Sequence, residues 1–372
     1  MLCFSVSIDR IDAPTSSKYV KVRDSTMKLW FFCMAAALSL NTACAHDADS
    51  RPRVFVFTDI NIDAGDPDDR QSLIHLLWYA DELQIEGVVP DRWDARGMEA
   101  CLLAAEAYAE DYENYHFGKK GYPTPQQVKS LFAESLEDAV RRFQHAADQG
   151  SPLYVLIWGN MLHVGEVLRG QSDPAANVRL ITIATDRMQE EHRQFMPQDW
   201  AKTEKPCEQY NWNGWGRNQI FNDERFKEMW WLEINWTYEG MFSGEEPKEM
   251  FAKLSGYGAL GRHLKEVVKN EPWAQYFRVG DTPSVLYVID PNHDLDDPTK
   301  ESWAGKFIKP FPNDRPNYFT DFNGPVAWDY ADPCNTWENH AEMNRFAKGT
   351  LEAVRPQMYA ALLAKLDALY RH

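Results

Sequence analysis

With 372 residues, 56 acidic side chains against 39 basic ones and a formal charge of −17 at pH 7, the chain is a poor candidate for binding nucleic acid or an anionic membrane. Its six cysteines stand at wide spacing, which gives neither a metal knuckle nor a disulfide framework. The fold must therefore hold by packing, and a chain of this length can bury the core that this requires.

The first stretch reads as a leader rather than as part of the fold. Residues 28–45 run from Lys28 through a twelve-residue apolar segment, Leu29 to Leu40, to Ala43-Cys44-Ala45, the small-x-small pattern of signal peptidase. The segment is too short to span a bilayer and reads as a secretory signal, with Met27 as the expected start. Lipid attachment at Cys44 is the lesser alternative, because Asn41 stands where an aliphatic residue is wanted. The expectation is an exported protein, periplasmic or extracellular, with residues 46–372 as one domain. Residues 1–45 carry a net charge of +2, so the remainder stands at −19, with Cys101, Cys207 and Cys334 allowing at most one disulfide.

Val54–Thr58 is an unbroken apolar strand, followed by a helix over Asp68–Ala80. Gln84–Pro90 is a second strand, and helices are expected over Gly97–Glu110 and Pro125–Ala147. Pro152–Trp158 is a third strand, Asn160–Arg169 a helix and Asn177–Ala184 a fourth strand. Strands written as continuous apolar runs and alternating with helices predict an α/β fold with a doubly wound, mostly parallel sheet. Residues 187–245 break this rhythm and are expected to form an irregular, tryptophan-rich rim containing Trp200, Trp212, Trp215, Trp230, Trp231 and Trp236. Helical pattern returns over Tyr257–Lys269, briefly after Asp281, and in a long C-terminal helix around Glu338–Tyr370.

The chemistry concentrates where the first strand meets its helix. Within eleven residues Asp59, Asp63, Asp66, Asp68 and Asp69 crowd that junction. Like charges at this density repel unless solvent or a hard cation separates them. Open α/β sheets gather ligands at the carboxyl ends of their strands, where Asp59 falls. A plainer account exists: Asp66-Pro67-Asp68-Asp69 also suits a helix start, and Asp281 before Thr282-Pro283 suits another.

Taken together, Thr58-Asp59-Ile60 with Asp66-Pro67-Asp68-Asp69-Arg70-Gln71-Ser72-Leu73 resembles the metal-binding opening of the nucleoside hydrolase superfamily. The likeness is greatest to the nucleoside-hydrolase-like domain of bacterial proteins named as cellulose-binding. Leu153–Val164 is similar to the family's middle strand and turn, and Gly280–Pro291 to its late aspartate segment. The resemblance implies a calcium site made by Asp59, Asp69, Asp281 and the carbonyl of Trp158 or its neighbour Ile157, with Asp59 as general base on water. It assigns Asp68 to sugar hydroxyls and, more loosely, Asn218 to the same sugar. It also implies a small sugar or nucleoside-like ligand; relatives commonly associate, so a homo-oligomer is an expectation of the resemblance alone.

The departures from that pattern lie on the leaving-group side. Phe57 stands where relatives carry a first aspartate, and the loop from Asp59 to Asp69 is longer than theirs. Gly280 replaces a histidine that several members use to protonate the departing base. Asp91-Arg92-Trp93 replaces a small polar turn, which makes Asp91 a candidate substrate contact. Trp212 and Trp215, flanked by Asn and Gly, are candidates for stacking on a base or a sugar ring. The readings carried forward are a calcium-dependent hydrolase of glycosidic or N-glycosidic bonds, a non-catalytic carbohydrate binder that keeps the calcium, and a purely structural calcium site. The acidic run Asp290–Glu301 has EF-hand register, but Leu295 fills the glycine position, so chance explains it better. Asn61, two residues past Asp59, cannot serve as the acid of an aspartyl phosphatase, and His75, His163 and His263 lack metal-ligand spacing.

Overall fold

The computed structural model of the protein describes residues 51–63, 67–159, 161–171, 173–186, 216–270, 275–331 and 340–371. The apolar runs become strands buried on both faces. In β1 (Arg53–Thr58) every residue is buried, and alternate side chains serve opposite cores. Val54 and Val56 pack towards one helical layer, Phe55 and Phe57 towards the other. The first layer holds α1 (Asp68–Trp78) and α2 (Gly97–Asn114). The second holds α4 (Leu136–Ala147), reached through the short α3 (Pro125–Ser130).

β1 lies between β2 (Gln84–Pro90) and β3 (Leu153–Trp158), parallel to both, with Thr58 level with Pro90 and with Trp158. That register sets Asp59, Asp91 and Gly159 side by side at the carboxyl edge. After α5 (Leu162–Arg169) and the single turn α6 (Pro174–Asn177) come β4 (Val178–Ile183), α7 (Arg217–Phe221) and β5 (Trp230–Ile234). α8 (Glu246–Leu254), α9 (Gly258–Glu266) and α10 (Pro283–Ile289) lead to β6 (Phe307–Ile308), β7 (Tyr318–Asp321) and α11 (His340–Leu369). The sheet order is β2-β1-β3-β4-β5-β7-β6, parallel except for the β6 edge. A mostly parallel sheet covered on both faces is the expected fold class. Arg51–His372 form one compact unit, and no helix among the described residues is long and apolar enough to cross a membrane.

Two expectations need correction. Residues 125–147 are not one helix: the chain leaves helical geometry after Ser130 and runs beside β2. There the Val88 N–H donates to the Leu131 carbonyl and the Ala133 N–H to the Val88 carbonyl, both at 2.9 Å. Covering the open edge of β2 takes the place of a continuous helix, and Ser135 then caps α4 by accepting from the Asp138 N–H at 3.2 Å. Nor are residues 187–245 all irregular rim. β5 runs through the sheet between β4 and β7, and Trp230, Trp231 and Trp236 are buried.

Candidate metal centre

The junction after β1 is tied down by backbone contacts before any ligand is considered. The Asp59 N–H donates to the Trp158 carbonyl at 3.0 Å, extending the β1–β3 pairing by one residue. Asn61 Nδ2 donates to the Asp59 carbonyl at 3.1 Å. Gly159 has φ +139°, and a Cβ there would stand 2.7 Å from the carboxyl carbon of Asp59. Only a glycine lets the chain leaving β3 come this close to the Asp59 side chain.

Asp68 and Asp69 open α1, whose N-cap, Pro67, offers no side-chain cap. The Asp69 N–H donates to Asp68 Oδ1 at 3.2 Å, and the Thr58 hydroxyl donates to Asp69 Oδ1. Asp281 arrives on the turn before α10. The Ser284 hydroxyl donates to the Asp281 carbonyl at 2.6 Å and accepts from the Trp158 indole N–H at 2.7 Å, so a buried β3 side chain anchors that turn.

These elements bring one oxygen each of Asp68, Asp69 and Asp281 within 4.8 Å of one another. Asp69, Asp281 and Asp91 are only 6%, 5% and 7% exposed. Burial holds the Asp69 carboxyl well above the usual carboxylate range, and the charges of Asp281, Asp59 and Asp68 push it further, against the Thr58 hydrogen bond. Burial likewise raises Asp91, and Asp59 adds to it. Its Oδ1 is buried without a hydrogen-bond partner among the described residues.

An all-oxygen donor set under mutual repulsion suits a hard cation such as calcium rather than a thiolate- or imidazole-seeking metal. The cradle fits as well: a Cβ at residue 280 would stand 2.4 Å from Asp68 Oδ2 and fill the space the carboxylate occupies.

The other expected residues distribute as follows. The Trp158 ring is fully buried, and its carbonyl, already accepting from Asp59, keeps a second lone pair. Asn218 belongs to a different group: its side-chain oxygen accepts from Arg217 at 3.0 Å, and Arg217 pairs with Glu233 at 2.7 Å and Asp186 at 3.2 Å. Trp212, Trp215 and Asp66 lie outside the described residues. The run from Asp290 is closed by its own chain. Asp290 accepts from the Asn292 and Trp303 N–H groups at 3.0 and 2.9 Å, and Lys300 sits 2.7 Å from Asp294. His75 is buried against Thr282 at 3.1 Å. Thr58 and Gly159 escaped the sequence reading, although their places beside Asp59 and after Trp158 were the available signal.

The fold and this acidic edge define a nucleoside-hydrolase-like α/β protein. The chain belongs to the family described as cellulose-binding Sde182, nucleoside hydrolase-like domain, whose match runs over residues 53–307. No curated protein matches it. Among solved structures it is similar to a nucleoside hydrolase-related hypothetical protein of Saccharophagus degradans that is associated with carbohydrate metabolism. The identity is 17% and the TM-score 0.55, over 86% of this chain and 72% of that one. A weaker likeness, TM-score 0.42 at 14% identity over 80% and 99% of the two chains, is to an inosine-uridine preferring nucleoside hydrolase of Bacillus anthracis.

Proposed function

We propose that the protein is an exported, calcium-dependent hydrolase of glycosidic or N-glycosidic bonds, acting on a small sugar or nucleoside-like ligand. The observation that carries this reading is the meeting of Asp68, Asp69 and Asp281, within the field of Asp59, at the carboxyl edge of a nucleoside-hydrolase-like sheet. Bound calcium would supply Lewis acidity towards water and coordination positions for a sugar diol. Asp59, Asp69 and Asp281 would hold it, with the Trp158 carbonyl as a further donor. Asp59, closely approached by Gly159, takes the proton of the attacking water as the water oxygen bonds to the anomeric carbon and the glycosidic bond breaks, and the departing group takes its proton from solvent. The surrounding carboxylates favour the positive, oxocarbenium-like state at the sugar. Asp91, beside Asp59 at the same sheet edge, is the further candidate for a sugar hydroxyl. The export reading rests on the leader, with residues 46–372 as the working domain.

The rival reading is a carbohydrate binder that keeps the cation and does no chemistry. Gly280 favours it, because the position that supplies an acid in several relatives has no side chain. A panel of nucleosides and aryl glycosides, assayed in calcium and in chelator, separates the two. Turnover that disappears in chelator and in Asp59→Asn supports the hydrolase. Sugar binding in calcium with no turnover of any panel member favours the binder. Full activity in Asp59→Asn would sink the mechanism.

A further inference from the structure

We propose that Asp68 is a direct ligand of the cation in this chain and that Gly280 is the residue that seats it. The inference rests on the calcium reading above and changes the role of one carboxylate within it. The resemblance gives Asp68 to sugar hydroxyls and names Asp59 among the ligands. The geometry groups the side chains differently: the carboxylate oxygens that close to within 4.8 Å are those of Asp68, Asp69 and Asp281.

Gly280 explains how Asp68 joins that set. A Cβ at this position would stand 2.4 Å from Asp68 Oδ2 and 3.5 Å from its carboxyl carbon, with the Tyr238 ring at 3.5 Å. The nearest atom is the far end of the Asp68 side chain, so a side chain at 280 would require that carboxylate to move from its present place. Gly280 is not among the glycines with positive φ. Its backbone conformation is open to other residues, and the requirement for glycine is one of space alone. The Asp68 carboxylate is further restrained by the Asp69 N–H, which donates to Oδ1 at 3.2 Å and leaves Oδ2 as the oxygen over Gly280. The open space at Gly280 and the place of the Asp68 carboxylate beside Asp69 and Asp281 are then one structural feature.

The test is isothermal titration of calcium into the protein and into Asp68→Asn, Gly280→Ala, the double variant and Asp69→Asn. A melting temperature in chelator no lower than that of the unaltered protein serves as the fold control. Asp68→Asn, nearly isosteric, and Gly280→Ala should each weaken calcium binding by at least about tenfold, the lower end of what removing a supporting group costs a metal site. The double variant should bind no more weakly than the weaker single one, since both remove the same oxygen. Wild-type affinity in either single variant, or additive losses in the double, would overturn the inference. If Asp69→Asn loses calcium while Asp68→Asn keeps it, only this inference falls. If the unaltered protein takes up no calcium, the reading of the centre falls with it.

Discussion

Asp69 is the residue at which the two accounts of the acidic junction predict opposite signs. As a helix-start carboxylate it would interact favourably with the N-terminus of α1, by about 0.3–1 kcal/mol. As a cation ligand it is instead a buried charge pressed by Asp281, Asp59 and Asp68. Asp69→Asn should therefore raise the melting temperature in chelator, by relieving that repulsion, and abolish the rise that calcium gives the unaltered protein. A specific ion at a hundred times its dissociation constant contributes about 2.7 kcal/mol, a shift of several degrees that thermal melts resolve readily. A lower melting temperature in chelator, with no calcium effect in either protein, would return the residue to the helix-start account. Asp59, Asp68 and Asp69 stood out in the sequence as a dense run of carboxylates at a strand end, whereas Asp281 was singled out only through the resemblance. The close approaches at Gly159 to Asp59 and at Gly280 to Asp68 were not legible, because an absent side chain shows its neighbour only once that neighbour is placed.

At the scale of elements, the carboxyl ends of β4 and β5 and the start of β7 are joined by a buried polar network. Glu233 of β5 accepts from Arg217 of α7 at 2.9 and 2.7 Å and from the Thr185 hydroxyl at 2.6 Å, and the Tyr318 hydroxyl of β7 donates to it as well. Burial would raise the Glu233 carboxyl, but Arg217 beside it outweighs that and holds it below its ordinary value. Its contribution to stability is thus present above pH 4.5 and lost as the pH falls further. Glu233→Gln leaves the buried Arg217 guanidinium with Asp186 as its remaining counter-charge and should destabilise the fold in urea titrations, by up to about 3 kcal/mol. Replacing Arg217 and Glu233 together by Met and Leu should cost clearly less. Equal costs would show that the strand ends depend on the pair itself. This network also explains why β5 was hidden in the sequence while β1 to β4 were not. The early strands are apolar on both faces and read as uninterrupted runs. Trp230–Ile234 carries a glutamate as its fourth residue, which suggests a surface position, and its burial is made tolerable by Arg217, Thr185 and Tyr318, none of them near it in sequence. The helix expected over 125–147 failed for a related reason: the partner that breaks it, the edge of β2, is far away in sequence.

For the molecule as a whole, pH reports on histidines that the fold keeps neutral. His75 of α1 is fully enclosed by Tyr79, Phe277 and Thr282, and burial lowers its pKa to about 3 from 6.5. His263 of α9 is lowered to about 4, by burial first and the Arg70 charge second. Between these values and 6.5 the unfolded chain binds protons that the folded chain refuses. Stability is therefore highest above pH 6.5 and falls as acid is added, by about 1.4 kcal/mol per pH unit for each such histidine near pH 5. Carboxylates that burial raises, Asp111 and Asp321 among them, take up protons in the folded state and work in the opposite direction, so the net slope is smaller than the histidines alone would give. A comparison of variants removes that background. Urea unfolding of the protein and of His75→Gln, in chelator at pH 6.5, 5.5 and 4.5, should show the variant losing less stability, by close to 1.4 kcal/mol per unit around pH 5. Parallel slopes would mean that His75 is protonated within the fold at these pH values. The contact with Thr282, next to Asp281, would then have to hold a charged ring, and acid would act on the cation centre and on the fold through the same residue.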